Sequence, residues 1–390
     1  MTDKKKFLLY FPLDLHDSKS GLATKCRGIA QAFAVKYQVD IISASDEGIW
    51  WNDVKCFDPK QNWLRKTWYF LLDRTLGYYR PLHKIIERNP YDALYFRFHY
   101  FITPGMILFL KLLKKKNPSL QVFMEIPTYP YETELYNLSA RIRFYLGKFL
   151  LPSLRRLVTR IITVSEHDAI FGIKTLRIEN GYFSELSTLP SLPESNQPPG
   201  FHIGMIANFN PWHGPDILVN SLIRYYQDTR EAYPSGVHLH MIGTGEELEG
   251  AKHLVQESGM SDFITFYGSK TRNEILEISA KVHVMVGTMG HFRKGISLSS
   301  SLKSREYAFL GKPLILKTRD NDFPASLFFV KYFPDDESLL DIPEIIRFYQ
   351  DMKTLHPDYR NEIRQYALDH LGWNSKLKDV MHLVDQINHS

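Results

Sequence analysis

The sequence predicts an α/β protein made of two doubly wound domains that face each other across a cleft. Short apolar runs of strand length alternate with amphipathic helical stretches in the first half, a proline-rich segment follows, and the alternation then restarts. Strands separated by helices imply a parallel sheet that is covered on both faces. A length of 390 residues also suits two hydrophobic cores better than one.

The first half begins with strands predicted at Lys6–Tyr10 and Val39–Ser43, on either side of an amphipathic helix near Leu22–Val35. Further apolar, β-rich runs of strand length are Ala93–Phe96, Gln121–Glu125 and Arg160–Val164. The segment Pro190–Gly200 is polar and rich in proline, which is typical of a linker between domains.

The second half repeats this pattern, and ligands of such sheets bind beyond the carboxyl ends of the strands. Its predicted strands are Phe201–Ile206, Val237–Ile242, Phe263–Phe266, Val282–Val286 and Pro313–Leu316. Two domains of this kind, facing each other, would create a single cleft for ligands.

Composition excludes several classes of protein. Hydrophobic residues make up 44% and charged residues 23%, which is ordinary for a globular chain and fits neither disorder nor a fibre. The apolar run Phe7–Leu13 is too short to span a bilayer and lacks a signal-peptide cleavage site, so we expect a cytoplasmic protein. Cys26 and Cys56 do not form a disulfide framework, and no His/Cys cluster has zinc-ligand spacing.

Charge is divided unevenly along the chain. Residues 1–200 carry a net charge of +9 from 28 Lys and Arg against 19 Asp and Glu, and residues 201–390 carry −4 from 20 against 24. A basic half can face nucleic acid, an anionic membrane or a phosphorylated acceptor, or its surplus can simply be spread over the surface. The basic, aromatic stretches Trp63–Arg80 and Arg141–Arg160 lead us to expect contact with a membrane surface, with a buried core helix as the alternative.

Two strand ends in the second half have the form of ligand-binding loops. In Ile203–Asp216 a strand leads into a tight loop and then a helix. Such a junction can point backbone N–H groups at a ligand, and the alternative is an ordinary strand-to-helix turn. Gly243-Thr-Gly245 ends the next strand, but such short glycine turns are common. It lacks the third glycine of a dinucleotide-binding fingerprint, which disfavours a dehydrogenase.

The segment Ser299–Pro313 is the sharpest candidate. Its serines can cap a helix that starts near Leu302 and that Gly311 and Pro313 would end. Hydroxyls, free N–H groups and Lys303 would then gather at a helix N-terminus, which suits a diphosphate. Glu306 lies one turn beyond Lys303 and could accept hydrogen bonds from a ribose diol, or form a plain surface ion pair with that lysine.

This segment resembles the donor-site stretch of retaining glycosyltransferase family 4, whose GT-B fold has two Rossmann-like domains. The resemblance also takes in Ala207–Gly214, Gly243–Gly245, Phe266–Gly268, Ile161–Glu166 and the loop that ends in Gly21, in the family's order. Among members, bacterial capsule and cell-surface polysaccharide transferases have a stretch similar to Glu125–Tyr131.

The resemblance implies transfer of a sugar, with retention, from a UDP- or GDP-sugar to a hydroxyl of a glycan or lipid-linked acceptor in bacterial surface polysaccharide synthesis. It implies an acceptor-binding domain at 1–197 and a donor-binding domain at 198–371, and we expect the final helix, about 372–390, to pack back onto the first. Neither a metal nor another cofactor nor a nucleic acid is expected. The alternatives are a sugar-nucleotide epimerase of the same architecture and an inactive transferase-like partner subunit.

The resemblance also assigns residues, and some of them depart from the family pattern. Donor-binding candidates are Gly21, Asn208, His213, Gly214, Gly243, Gly268, Ser301, Leu302 and Glu306; catalytic candidates are Glu125, Arg293 and Lys303. Asn208 and His213 stand where many members have an Arg and a Lys for the pyrophosphate, and Arg293 is expected to compensate. Leu298 stands where the first of two paired glutamates is usual. Glu125 is either a base or hydrogen-bond partner in the cleft, or a structural anchor.

Overall fold

The computed structural model describes residues 4–17, 20–45, 47–58, 89–127, 129–130, 138–182, 198–229 and 233–386. The chain divides into two compact units. Unit 1 is Met1–Phe183 together with Trp373–Ser390, and unit 2 is Ser184–Gly372. The predicted linker Pro190–Gly200 lies outside the described residues except for its last three, as does the whole basic stretch Trp63–Arg80.

Unit 1 contains a nine-stranded sheet in the order β4-β3-β2-β1-β5-β6-β7-β9-β8. Its strands are β1 Lys6–Phe11, β2 Gln38–Ser45, β3 Gly48–Trp51, β4 Val54–Phe57, β5 Ala93–Arg97, β6 Gln121–Glu125, β7 Arg160–Thr163, β8 Ala169–Ile170 and β9 Ile173–Arg177. Strands β1, β2, β5, β6, β7 and β9 are parallel, whereas β3, β4 and β8 pair in antiparallel fashion. The five strands predicted in this half are confirmed, and the antiparallel pair β3–β4 was not predicted.

Helices cover both faces of this sheet. They are α1 Gly21–Lys36, α2 Pro104–Lys116, α3 Leu138–Lys148 and α4 Leu151–Leu157. Helix α1 packs on one face, where the Phe33 ring stacks on the Phe7 ring with the ring centroids 4.3 Å apart. Leu110 of α2 and Leu154 of α4 belong to the core on the other face. Burial on both faces explains why the sequence of β1 is an almost continuous apolar run.

Unit 2 contains a six-stranded parallel sheet in the order β12-β11-β10-β13-β15-β17. Its strands are β10 Phe201–Ile206, β11 Val237–Ile242, β12 Ile264–Gly268, β13 Val284–Val286, β15 Leu314–Leu316 and β17 Val330–Tyr332. A separate two-stranded parallel ribbon pairs β14 Leu298–Ser299 with β16 Arg319–Asp320. The direction in which the chain adds strands reverses between β10 and β13, which is the point where such sheets bind ligands.

Helices connect the strands of unit 2 and follow them. They are α5 Pro215–Asp228, α6 Leu248–Glu257, α7 Arg272–Lys281, α8 Leu302–Phe309, α9 Ile342–Leu355 and α10 Tyr359–His370, with short 3-10 helices at Pro211–His213 and His291–Lys294. No described helix in either unit has the length and apolar character that crossing a bilayer requires.

The end of the chain returns to unit 1 as two short helices, α11 Trp373–Lys376 and α12 Lys378–Asp385. Lys5 Nζ donates to the carbonyl oxygen of Val384 at 2.6 Å, and the Tyr37 hydroxyl donates to that of Met381 at 3.1 Å. Leu377, Val380 and other apolar residues of this segment join the core that lies under α1.

Candidate functional site

The loops that follow β10, β11, β12 and β13 form a single connected surface at one edge of unit 2, because parallel strands end on the same side of a sheet. Phe209 N donates to Thr244 O at 2.6 Å, which joins the loops after β10 and β11. Gly243 N donates to Gly268 O at 2.9 Å, which adds the end of β12. Met289 N donates to His213 O at 3.0 Å, which adds the loop after β13.

Two glycines allow the loops after β10 and β11 to touch. Gly243 has a φ of +129°, and a Cβ there would lie 1.9 Å from the carbonyl oxygen of Ala207. Gly245 has a φ of +150°, and its Cβ would lie 2.2 Å from the carbonyl oxygen of Phe209. Only glycine fits both the backbone conformation and the close approach. The Gly-Thr-Gly turn therefore shapes the edge of the site by packing.

The loop after β10 supplies polar groups but no positive charge. Asn208 is exposed, and its carbonyl oxygen accepts a hydrogen bond from the Asn210 side chain at 2.9 Å. His213 Nδ1 accepts a hydrogen bond from Asn210 N at 3.1 Å, which leaves the proton of the neutral ring on Nε2. Burial lowers the pKa of His213 to about 4, so the ring is neutral at pH 7. Gly214 follows directly and precedes α5.

The start of α8 joins the same surface. Ser301 caps this helix, since its hydroxyl oxygen accepts from Lys303 N at 3.3 Å, and Leu302 is the first helical residue. The Lys303 Nζ lies 3.0 Å from Glu306 Oε2. The lysine side chain is 44% exposed and the glutamate side chain 14%, so the lysine is open to solvent and the glutamate is mostly covered. The ion pair expected from the spacing is present, and the donor-binding role of both residues stays a prediction.

Tyr307, which the sequence analysis did not single out, fixes α8 to the end of β10. Its side chain is fully buried. The Tyr307 hydroxyl accepts from Ile206 N at 3.0 Å and lies 3.3 Å from the carbonyl oxygen of the same residue. The helix that begins at Ser301 is thereby held beside the loop that begins at Ala207. The signal in the sequence was an aromatic ring with a polar tip, because such a side chain usually finds a hydrogen-bond partner when it is buried.

Arg305 is a second residue whose role the sequence patterns did not indicate. Its guanidinium is fully buried and contacts Asp320 at 2.5 and 2.9 Å and Asp322 at 2.5 Å. It also donates to the carbonyl oxygen of Ser301 at 3.1 Å, which is the capping residue of α8. Arg305 therefore joins the start of α8 to the chain around β16. In the sequence, the pair Asp320 and Asp322, two residues apart, was the feature that could have indicated a cation nearby.

Arg293 lies in the 3-10 helix His291–Lys294, against the loop after β10, where it donates to the carbonyl oxygen of Pro211 at 2.8 Å. Its guanidinium also binds Asp216 at 2.7 and 3.0 Å and Glu337 at 2.6 and 2.9 Å. Two carboxylates thus already neutralise the cation that was expected to replace the missing Arg and Lys. Its role towards a diphosphate stays a prediction. Leu298, at the position of the missing glutamate, pairs with Arg319 in the β14–β16 ribbon.

Glu125 ends β6 of unit 1 and is only 3% exposed. Its Oε1 lies 2.6 Å from Lys25 Nζ and 3.1 Å from Arg97 Nη1. Burial raises the pKa of Glu125, but the charges of Lys25 and Arg97 outweigh burial and hold that pKa below its usual range. These are the contacts expected of the structural alternative, and a catalytic role for Glu125 stays a prediction. Of the stretch that follows it, Thr128 and Tyr131 lie outside the described residues.

Gly21 opens α1 of unit 1, and the Ser20 hydroxyl caps that helix by accepting from Ala23 N at 3.2 Å. A Cβ on Gly21 would meet no atom within 4 Å, so packing alone does not require glycine there. Within the described ranges of both units, no three His, Cys, Asp or Glu side chains cluster closely enough to hold a metal ion.

Comparison with known proteins shows the fold. Neither a family model nor a curated protein matches the sequence. Among solved structures, the catalytic domain of starch synthase IV from Arabidopsis thaliana, bound to ADP and acarbose, matches with a TM-score of 0.66 and 11% identity over 99% of each chain. Sucrose-phosphate synthase from Thermosynechococcus elongatus matches with a TM-score of 0.63 and 13% identity over 98% of this chain and 99% of its own.

The lipopolysaccharide outer core galactosyltransferase WaaB matches with a TM-score of 0.55 and 12% identity over 97% of this chain and 99% of its own. At such identities the similarity shows the fold alone. The two units have the Rossmann-like architecture of GT-B glycosyltransferases, which confirms the predicted fold class.

Proposed function

We propose that this chain is a glycosyltransferase that moves a sugar from a nucleoside-diphosphate sugar to a hydroxyl of a glycan or lipid-linked acceptor. The observation that carries the proposal is the surface in unit 2 where the loops after β10, β11, β12 and β13 meet the start of α8. This surface lies where the strand order reverses, and it presents Lys303 and Glu306 side by side.

The donor nucleotide is held by unit 2 and the acceptor by unit 1. The diphosphate binds at the start of α8, where Ser301, the N–H of Leu302 and the Lys303 ammonium can all reach it. Glu306 accepts hydrogen bonds from the ribose hydroxyls. The glycine turns at Gly243 and Gly268, with Asn208, His213 and Gly214 of the loop after β10, line the remainder of the nucleotide-sugar site.

In the reaction, the bond between the anomeric carbon and the β-phosphate oxygen breaks while the acceptor oxygen bonds to that carbon on the same face. Negative charge grows on the departing diphosphate, and its β-phosphate oxygen, which lies on the same face as the acceptor, takes up the proton that the acceptor hydroxyl gives up. Lys303 and the amide groups at the start of α8 stabilise this charge, with Arg293 as a further candidate cation, and no metal is required. UDP or GDP is the proposed leaving group.

The proposed setting is bacterial surface polysaccharide synthesis at the inner face of the membrane, with a lipid-linked acceptor. Support comes from the motif resemblance to capsule-type transferases and from the basic first half of the chain. The fold is shared with WaaB, a protein whose name describes galactosyl transfer to lipopolysaccharide outer core.

A nucleotide screen by thermal shift tests the proposal. A ligand at 100 times its dissociation constant adds about 2.7 kcal/mol to the free energy of unfolding, so UDP or GDP and its sugar should raise Tm clearly. Failure of every nucleoside diphosphate to raise Tm would reject it. Proton NMR of the stabilising nucleotide sugar without acceptor then distinguishes slow hydrolysis, expected of a transferase, from inversion of a sugar carbon, which indicates an epimerase. No turnover under any condition indicates an inactive partner subunit.

A further inference from the structure

Helix α3 and the residue after it carry a row of exposed apolar side chains. The exposed fractions are 75% for Leu138, 50% for Ile142, 62% for Tyr145, 59% for Leu146 and 82% for Phe149. At about 100° of rotation per residue, these positions fall within a strip about 100° wide on one side of the helix. We call this set of five residues the α3 stripe.

The opposite side of α3 is packed on unit 1, so the stripe is not the result of a loosely placed helix. Phe144 is only 7% exposed and belongs to the core on that face of the sheet. Gly147 lies so close to Ile102 that a Cβ would stand 3.0 Å from its carbonyl oxygen. The side that faces the protein and the side that carries the stripe are therefore distinct. The core-helix alternative accounts for Phe144 and Gly147 but not for the stripe.

The charges along the chain from the start of α3 to the end of β7 have a single sign. From Leu138 to Ser165 the sequence contains no Asp or Glu, and it contains six basic residues: Arg141, Arg143, Lys148, Arg155, Arg156 and Arg160. Lys148 and the arginines at 141, 143, 155 and 156 are exposed. The Lys148 ammonium lies 4.9 Å from the centre of the Tyr145 ring, so this cation stands at the border of the apolar strip.

We propose that the α3 stripe docks on an anionic lipid bilayer, with its apolar side chains in the headgroup and acyl boundary and the flanking cations at the lipid phosphates. An apolar strip bordered by Lys and Arg and lacking acidic residues has the charge and shape of a helix that lies in the membrane interface. The docking of the stripe on lipid stands independently of the proposed function. Its purpose, which is to bring unit 1 to a lipid-linked acceptor, rests on the proposed function.

Flotation of the full-length protein with phosphatidylcholine vesicles, with and without phosphatidylglycerol, tests the docking surface. The wild type should float with the anionic vesicles at low salt and less well at high salt, because salt screens the cations. The double variant Leu146→Asp with Phe149→Asp should lose about tenfold or more in vesicle affinity, since each exposed apolar anchor is replaced by a charge repelled by the lipid.

The matched control is Val35→Asp with Val54→Asp, which adds the same charge at two other apolar positions of unit 1 that are 70% and 68% exposed. The control should float like the wild type. Equal flotation of wild type and stripe variant would overturn the proposal, as would a wild type that stays at the bottom. A wild-type dimer that the stripe variant separates into monomers, without flotation, would also overturn it and would assign the stripe to a second copy.

Nucleotide binding is measured on the same proteins to separate this proposal from the proposed function. The stripe variant should keep the wild-type Tm shift with the nucleotide, because α3 carries no donor-binding candidate and all of these except Gly21 belong to unit 2. Flotation that depends on the stripe, together with no response to any nucleotide, would support the docking surface and reject the glycosyltransferase.

Discussion

Glu306 and Lys303 contact each other across one turn of α8, and a change of charge at Glu306 separates donor binding from a plain ion pair. A carboxylate that accepts from ribose hydroxyls contributes about 1.5–3 kcal/mol, or about tenfold to a hundredfold in affinity. We expect Glu306→Gln, which keeps the size and removes the charge, to raise the donor KM by this factor with Tm unchanged. Steady-state kinetics with varied donor concentration measure the effect.

A matched control for Glu306 is available in the same unit. Glu249 and Lys252 form an ion pair with the same spacing, 2.7 Å apart, on the exposed side of α6. Glu249→Gln should leave the donor KM unchanged. If Glu306→Gln behaves like this control, Glu306 is only a surface ion-pair residue.

The cations near the diphosphate should affect the chemical step rather than binding alone. Removing an interaction that strengthens as the bond breaks lowers kcat. We expect Lys303→Ala and Arg293→Ala each to lower kcat/KM by about a hundredfold, the loss typical of one preorganised charge donor. Lys252→Ala is the control, and EDTA should leave the wild-type rate unchanged.

Arg293 has a competing role that the same experiment reveals. Its ion pairs with Asp216 and Glu337 hold the 3-10 helix His291–Lys294 to its surroundings. An Arg293→Ala protein with lower Tm but wild-type kcat/KM would show that these ion pairs are its function. A rate that requires Mg²⁺ or Mn²⁺ would contradict the whole site, because a metal would then neutralise the diphosphate.

At the scale of elements, the position of α8 depends on a buried ion-pair cluster. Arg305 is fully buried between Ser301, Asp320 and Asp322. Removing one partner from such a cluster leaves an uncompensated buried charge and costs about 3–5 kcal/mol. We therefore expect Arg305→Met to lower the free energy of unfolding by this amount in urea titrations, and to raise the donor KM because the start of α8 shifts.

The pairwise nature of this cluster can be measured with a double-mutant cycle. The double variant Asp320→Asn with Arg305→Met should lose less free energy of unfolding than the two single variants lose in sum. The reason is that residue 320 then carries no unpaired buried charge. Additive effects would mean that Arg305 stabilises α8 through its alkyl packing and not through charge.

At the scale of the whole molecule, unit 2 contains a chain of buried histidines that links β10, β11 and the residue just before β13. His202 Nδ1 lies 2.9 Å from His240 Nε2, and His202 N donates to His283 Nδ1 at 3.0 Å. Burial lowers the pKa values of His240 and His283 to about 3, and it also lowers that of His202. All three rings are therefore neutral in the folded protein near pH 7.

This chain of histidines predicts acid sensitivity. Above pH 6.5 these rings are neutral in both the folded and the unfolded state, so they do not make the free energy of unfolding depend on pH. Between pH 6.5 and about 3 only the unfolded state binds protons at His240 and His283, and each of these two protonations costs up to about 1.4 kcal/mol of stability per pH unit. Urea unfolding of the wild type should show this decline on acidification. His240→Gln should reduce its slope, and the exposed His253→Gln should not; equal slopes would reject the prediction.

The sequence by itself determined the alternation of strands and helices, the two-unit fold class and the segments at the strand ends. Buried parallel strands are continuous apolar runs, and the glycine at the end of a predicted strand marks a turn, as Gly243 does. Ser301 was likewise found locally, because a helix cap depends only on its immediate neighbours. Such features are encoded within a few residues.

Only the tertiary structure decided which side chains share an environment. The buried Arg305 has its charge paired because Asp320 and Asp322, 15 and 17 residues later in the chain, converge on it. Tyr307 matters because its hydroxyl meets the end of β10. Glu125 acquires its charge partners from α1 and β5. The α3 stripe has the composition of a core helix, and only the packing of the sheet shows which side is covered. Long-range packing sets burial and charge pairing, and local patterns do not carry that information.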